Sequence, residues 1–193
     1  MEKDEIQKIL IEVSKNERST DEFIEILGNI HAKMHKKEHK QKLPAIYKPA
    51  WKVRGADFYY CVSGETGQVI LVKKDVINGD ESKEIKAEKL HFNGNKQDAW
   101  VINIKNGYLV QGNLPCNIAK YTDVYSFVAV AYWQELEKFN DELINNFKKH
   151  YPKENIRLEL HHISGNIDDN TLSNLIYIPA FIHRRVHKLE LES

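Results

Sequence analysis

The fold is decided by one stretch of the chain, Ile156-Arg157-Leu158-Glu159-Leu160-His161-His162-Ile163-Ser164-Gly165-Asn166. Apolar and polar residues alternate from Ile156 to His161, which is typical of a strand with one buried face. Neighbouring residues of a strand point to opposite faces. His161 and His162 are therefore expected to have different roles, one as a metal ligand and the other as a base.

The residues that follow predict a loop, a second strand and a helix. Residues 165–170 are rich in turn formers, and Leu175 to Ile178 is a short apolar run that suits a strand. Pro179 is favourable in the first turn of a helix. The apolar face of that helix would consist of Ile182, Val186 and Leu189.

Two further histidines lie on this predicted helix. His183 and His187 are four residues apart, the spacing at which two imidazoles can bind one ion. If the two strands pair and the helix packs over them, His161 comes within reach of this pair. The order strand, loop, strand, helix is thus compatible with a site at which these histidines lie close together.

This segment resembles the HNH (His-Me finger, ββα-metal) nuclease superfamily, and within it the colicin and pyocin type. The family motif has paired histidines after a Glu-Leu, a central Asn, and two histidines on a helix. The matching residues here are Glu159-Leu160-His161-His162, Asn174, His183 and His187. The resemblance covers roughly residues 156–188. The loop between His162 and Asn174 is shorter than in the colicin type, and the Cys pairs of many phage and bacterial HNH enzymes are absent.

The resemblance implies a metal centre with a separate base. His161, His183 and His187 would hold one divalent metal ion, and His162 would be the general base that takes a proton from the attacking water. The candidate ions are Mg²⁺, Mn²⁺, Ni²⁺ and Zn²⁺. Three imidazoles suit Zn²⁺, Ni²⁺ or Mn²⁺ better than Mg²⁺.

The resemblance also implies supporting roles around that centre. Asn174 would tie the loop across the strand and orient the base, so it joins His161 and His162 in the catalytic set. Glu159 would support the metal ligands without binding the ion itself. Arg184 and Arg185 would contact phosphate.

A metal-dependent endonuclease that hydrolyses phosphodiester bonds of DNA is therefore expected. RNA is also allowed, because the mechanism needs no 2′-hydroxyl. One alternative is a nuclease toxin module, which would need an acidic inhibitor protein as its partner. Another is a non-catalytic nucleic-acid-binding protein, which the formal net charge of zero (28 basic and 28 acidic residues) slightly favours. HNH enzymes often act as homodimers on duplex DNA, so a homodimer is an open expectation.

The chain as a whole is predicted to have an α+β fold in three segments. Residues 1–42 form an N-terminal helical segment and residues 43–118 a β-rich region with a small antiparallel sheet. Residues 119–193 combine a long helix, over 121–150, with the ββα-metal (HNH) module. Because a ββα unit alone buries little core, the long helix is expected to pack against it.

The β-rich region is predicted from two pairs of strands. Residues 58–62 and 69–72 form the first pair. Residues 100–104 and 108–111 form the second, joined by the hairpin signal Asn106-Gly107. The polar segment between the pairs is expected to be a loop or a weak strand.

Basic residues are concentrated after the acidic N-terminal stretch. Residues 31–54 hold eight Lys or Arg and one acid. This stretch is long enough to contact several phosphates, or it is an ordinary solvated helix face. The candidate nucleic-acid contacts are Lys33, Lys36, Lys37 and Lys40.

Three histidines, His31, His35 and His39, repeat at four-residue spacing in the same region. They could form a second metal site on a helix. A solvated basic face is the favoured interpretation, because no partner acid or Cys stands nearby.

Several classes of protein are excluded or disfavoured. Cys61 and Cys116 are the two cysteines, and without a CxxC pair they cannot form a Cys-ligated zinc knuckle. The first ten residues are too charged for a signal peptide. No apolar run approaches the ~20 residues of a membrane span. A cytoplasmic protein without membrane contacts is therefore expected.

Overall fold

The computed structural model describes residues 2–34, 45–52, 58–73, 85–90, 99–101 and 124–192. The described elements comprise helices and antiparallel sheets, which confirms the α+β class. The helices are α1 (Lys3–Ser14), α2 (Thr20–Met34), α3 (Val124–Ala131), α4 (Trp133–Leu136), α5 (Asn140–His150) and α6 (Ala180–Glu192). The strands are β1 (Ala45–Lys52), β2 (Phe58–Ser63), β3 (Val69–Lys73), β4 (Ile85–Leu90), β5 (Ala99–Val101), β6 (Leu158–His162) and β7 (Leu175–Pro179). Within the described ranges, no helix is both long and apolar enough to cross a membrane.

The chain divides into two compact units instead of three consecutive segments. The first unit consists of Met1–His39, Gln134–Asp169 and Ser173–Ser193, and the second of Lys40–Trp133 with Asn170–Leu172. The helical N-terminal region and the ββα module thus share one unit. The division after His39 lies close to the predicted boundary at residue 42, and the next division, after Trp133, lies beyond the predicted boundary at residue 118.

One hydrophobic core holds the first unit together. It receives side chains from α1, α2, α5, β7 and α6, most of them fully buried. The buried members are Ile6, Ile9, Leu10, Val13, Phe23, Ile24, Leu27, Leu143, Phe147, Ile156, Ile163, Ile176, Ile178, Ile182 and Val186. The ββα module therefore gains from three other helices the apolar contacts that so small a unit lacks by itself.

Helix α2 begins with a capping residue and acidic residues in its first turn. Ser19 precedes it, and the Ser19 hydroxyl accepts a hydrogen bond from the Asp21 N–H at 3.2 Å. Asp21 and Glu22 in the first turn favour this end of the helix dipole. Its last turn contains His31, and residues 35–44, with His35 and His39, lie outside the described residues.

The prediction of a single long helix over 121–150 is wrong. Three helices, α3, α4 and α5, occupy this region, and Phe139 before α5 has a non-helical backbone (φ −113°, ψ 3°). The apolar stripe that predicted one helix serves two different cores. Phe127 is buried in the second unit, whereas Leu143 and Phe147 are buried in the first. As expected, the C-terminal part, α5, shares its core with the module.

The second unit contains a five-stranded sheet in the order β3-β2-β1-β4-β5. The predicted antiparallel pair at 58–62 and 69–72 is confirmed as β2 and β3. Strand β5 overlaps the predicted strand at 100–104, and the polar segment before it contains β4. Residues 102–123, with the predicted Asn106-Gly107 hairpin, lie outside the described residues.

Strand β1 is not among the strands that the sequence predicts, and it contains Pro49, a residue that disfavours regular strand pairing. The structure accommodates Pro49 at an irregularity of the β1–β2 pairing, between Pro49 and Trp51. On the other side of β1, the pairing with β4 covers residues 45–47 and ends before Pro49. The missing N–H of proline therefore removes no bond from that ladder.

The β2–β3 turn holds part of the loop that follows β6. The Leu172 N–H donates a hydrogen bond to the Gly64 carbonyl at 2.6 Å. Gly67 has a φ of 67°, and a Cβ there would lie 2.7 Å from the carbonyl carbon of Asn170. Only glycine satisfies both conditions without strain. Residues 170–172 consequently belong to the second unit.

Candidate metal centre

Two antiparallel strands and one helix position the candidate residues. Strand β6 pairs with β7 so that His161 lies opposite Ile176 and His162 opposite Leu175. Helix α6 begins directly after β7, and its first N–H, of Ala180, donates to the Arg157 carbonyl at 2.8 Å. This bond ties the start of α6 to the residue that precedes β6.

The structure brings His161, His183 and His187 together. Each offers one ring nitrogen, and these nitrogens all lie within 4.8 Å of one another. The ring centroids are 4.9 Å apart for His161 and His183, 5.5 Å for His161 and His187, and 4.7 Å for His183 and His187. Two imidazoles on one tetrahedral zinc, with bonds of ~2.1 Å, have centroids about 5.3 Å apart. The three rings therefore have the spacing that a single ion requires.

The environment of His161 suits a metal ligand. Its side chain is 1% exposed, and its Nε2 is buried with no hydrogen-bond partner among the described residues. A buried nitrogen without a partner costs about 1–3 kcal/mol, which a bond to an ion would offset. Burial, reinforced by the neighbouring histidines His183, His31 and His187, lowers the pKa of His161 to about 2. The ring is thus neutral, as a ligand must be.

Glu159 fixes the orientation of His183. The Oε2 of Glu159 lies 2.7 Å from Nδ1 of His183, so Nδ1 donates to the carboxylate and Nε2 is left as the ligand atom. That Nε2 lies 3.0 Å from Nε2 of His187. The bond to His183, and then the adjacent Arg157 guanidinium, lower the pKa of Glu159. The carboxylate therefore has the charge needed to hold the His183 ring.

His162 lies outside this cluster. It follows His161 directly on β6, it is half-exposed where His161 is buried, and it is absent from the three-histidine group. Strand geometry therefore separates the two adjacent imidazoles as the sequence pattern predicts. A half-buried imidazole beside the three-histidine group is within reach of water.

Asn174 ties the ends of the β6–β7 loop together. Its side-chain Oδ1 accepts a bond from the Ser164 N–H at 2.8 Å, and its Nδ2 donates to the Asp169 carbonyl at 2.7 Å. Its own carbonyl accepts a bond from the Ile163 N–H at 2.7 Å. The loop immediately after His162 is thereby held to the residue that precedes β7.

Replacing Asn174 by Ala is expected to lower the free energy of unfolding by about 2–5 kcal/mol. Both partners, the Ser164 N–H and the Asp169 carbonyl, would lose a buried bond that costs roughly 1–3 kcal/mol each. Urea denaturation of the metal-free protein measures this. Asn145→Ala, at an exposed position of α5, is the matched control and should stay within about 0.5 kcal/mol of the wild type. Equal effects of the two variants would contradict the role of Asn174.

The predicted phosphate contacts lie at the surface. Arg184 and Arg185 are exposed on α6. The Arg184 Nε donates to the Ala180 carbonyl at 3.3 Å, and the Arg185 guanidinium pairs with Asp21 at 2.5 Å. Because both members of this pair are exposed, phosphate could displace Asp21 at a cost of only ~0–1 kcal/mol.

Among the candidate lysines, Lys33 is exposed on α2. Lys36, Lys37 and Lys40 lie outside the described residues. The basic stretch therefore stays a sequence-based prediction for nucleic-acid contacts.

A fourth histidine, His31, lies beside the three-histidine group and is absent from the predicted site. His31 is not part of a solvated face: it is 2% exposed, and its ring centroid lies 5.2 Å from that of His161 and 6.5 Å from that of His187. In the sequence, His31 stands four residues before His35 in a basic stretch, a pattern that is typical of an exposed helix face. One sequence feature does indicate that His31 is buried. The apolar stripe of α2 includes Leu27 and Ile30, and His31 follows Leu27 at the four-residue spacing of the same helix face.

Comparison of the chain with protein-family models, with curated proteins and with solved structures found no match to any of them.

Proposed function

We propose that the chain is a metal-dependent endonuclease of the HNH kind that hydrolyses phosphodiester bonds of DNA. The observation that carries the proposal is the convergence of His161, His183 and His187, from one strand and one helix, on a point that a single ion fits. His162 is adjacent to this group and does not belong to it. Three ligands leave a coordination position open, as catalytic metal sites do.

Each residue then has a distinct task. A bound divalent ion supplies Lewis-acid stabilisation of the charge that develops on the phosphate. His162 accepts the proton of the water that attacks phosphorus, a role worth roughly 10²–10⁴-fold in rate. Glu159 holds His183 in the tautomer whose Nε2 is free. Asn174 keeps the loop after His162 in place.

The exposed basic residues of α6 support a nucleic-acid substrate. Arg184 and Arg185 lie on the same helix as two of the three ligands and directly follow His183 in sequence. Arginine recognises phosphate by paired hydrogen bonds from its planar guanidinium. DNA is proposed as the substrate, with RNA as the alternative that the experiment separates.

The experiment is cleavage of a supercoiled plasmid by metal-stripped protein, with Mg²⁺, Mn²⁺, Ni²⁺ and Zn²⁺ added back separately. Nicking or linearisation that appears only with a metal ion is the expected result. Folded RNA of similar length is assayed in parallel to define the substrate. Intact DNA and RNA with every ion, by protein that binds the ion, would replace the proposal with a non-catalytic metal-binding role. The zero net charge of the chain is the observation that favours that second role.

A further inference from the structure

A fourth imidazole is buried beside the three candidate ligands. His31 lies in the last turn of α2, outside the ββα module, and is 2% exposed. Its ring packs against that of His161 with centroids 5.2 Å apart and planes tilted by 30°. Because the His161 ring is also buried, each of the two rings limits the movement of the other.

The His31 ring also lies close to Gly165, in the loop after β6. Gly165 has a φ of 72°, and a Cβ there would lie 2.8 Å from Cγ and 3.0 Å from Nδ1 of His31. Any side chain at this position would push the ring away and strain the backbone. The glycine therefore makes room for the His31 ring, which lies close to both Gly165 and His161.

The distances place His31 beside the centre but outside the ligand set. Its centroid is 6.5 Å from that of His187, whereas two imidazoles on one ion have centroids about 5.3 Å apart. The group whose ligand atoms lie within 4.8 Å of one another consists of His161, His183 and His187. His31 thus contacts one ligand ring without sharing the point on which the three converge.

We propose that His31 is a positioning residue of the metal centre: its ring packs against His161 and holds that ligand at the angle needed for ion binding. The inference rests on the proposed metal centre and is independent of nuclease activity. It makes α2 part of the centre, because the residue comes from the N-terminal helices and not from the ββα module. Residues outside the ligand set that orient a ligand typically contribute 10–100-fold to metal affinity.

The test measures Co²⁺ binding to the full chain, by titration and by the visible absorption of the bound ion, together with the Tm of the metal-free protein. The variants are His31→Ala, which removes the ring, and His31→Phe, which keeps a flat ring against His161. His150→Ala is the matched control, because His150 is exposed at the end of α5. We expect a Kd for Co²⁺ about 10–100-fold higher in H31A, with an altered absorption spectrum, and a largely restored Kd in H31F.

The outcomes separate this inference from the proposed function. If the wild-type protein binds no Co²⁺, the proposed metal centre itself is contradicted. If H31A binds Co²⁺ with the wild-type affinity and absorption spectrum, the inference about His31 is overturned, even when the Tm of H31A is lower. The inference is also overturned if H31F binds Co²⁺ as weakly as H31A does. In both cases the proposed metal centre itself is unaffected.

If H31A does not fold, imidazole NMR of the wild type during Zn²⁺ titration decides the question. The positioning role is supported if the His31 resonances shift during the titration but do not show the change expected for an imidazole nitrogen bonded to the metal ion. Resonances that stay unchanged, or that take the metal-bound pattern, contradict it.

Discussion

His187→Ala is expected to lose the stabilisation that a divalent ion gives to the wild-type protein. His187 supplies one of three converging nitrogens and is exposed, so its removal leaves the hydrophobic core intact. At an ion concentration 100 times the wild-type Kd, binding adds about 2.7 kcal/mol to the free energy of unfolding. With two ligands left, the Kd should rise by two orders of magnitude or more, and most of this increment should disappear.

Thermal unfolding with and without Zn²⁺, Ni²⁺ or Mn²⁺ measures this effect. The metal-free Tm of H187A should equal that of the wild type, which separates the loss of a ligand from a folding defect. His150→Ala should keep the full metal-induced shift, because its imidazole is exposed elsewhere on the first unit. A metal-induced shift in H187A as large as in the wild type would exclude His187 from the centre.

His162→Ala is expected to bind the ion normally and to cleave DNA about 10²–10⁴-fold more slowly. The prediction follows from the separation of two adjacent histidines by the strand: His161 is buried in the cluster, and His162 is half-exposed outside it. Without the imidazole, the attacking water would have to lose its proton to solvent. Initial rates of plasmid nicking at saturating metal measure the loss.

The two variants dissect the centre when they are measured together. H187A should fail in metal binding and therefore in cleavage, whereas H162A should fail in cleavage alone. Rapid cleavage by H162A, at the wild-type rate, would remove His162 as the base. Loss of metal binding in H162A would instead make His162 a ligand, in conflict with the three-histidine geometry.

The C-terminal module could be predicted from the sequence because its signals are local. Alternation from Ile156 to His161, an apolar run at Leu175 and the proline before α6 each determine one element, and the structure has β6, β7 and α6 at those places. The convergence of three histidines then follows from the pairing of β6 with β7.

Elements that depend on distant contacts could not be predicted in this way. Strand β1 contains Pro49, and only its pairing with β2 shows that an irregularity accommodates the proline. The apolar stripe from Phe127 to Phe147 contains no local mark of the passage from one core to another. The region predicted as one helix contains α3, α4 and α5, and the chain passes from the second unit to the first after Trp133, within α4.

The burial of His31 belongs to the same class. In the sequence, His31 is one of several charged or polar residues in a basic stretch. Its actual neighbours, His161, Gly165 and His187, are more than 120 residues away along the chain. A pattern of i, i+4 spacing describes one helix and contains nothing about what packs on it.

The discontinuity of the first unit has a consequence for biosynthesis. At ~5–20 residues per second, the ribosome releases His31 roughly ten to thirty seconds before His187. During that interval α1 and α2 have no β7 or α6 to cover their apolar faces. The three histidines that the structure brings together therefore cannot converge until residue 187 has emerged.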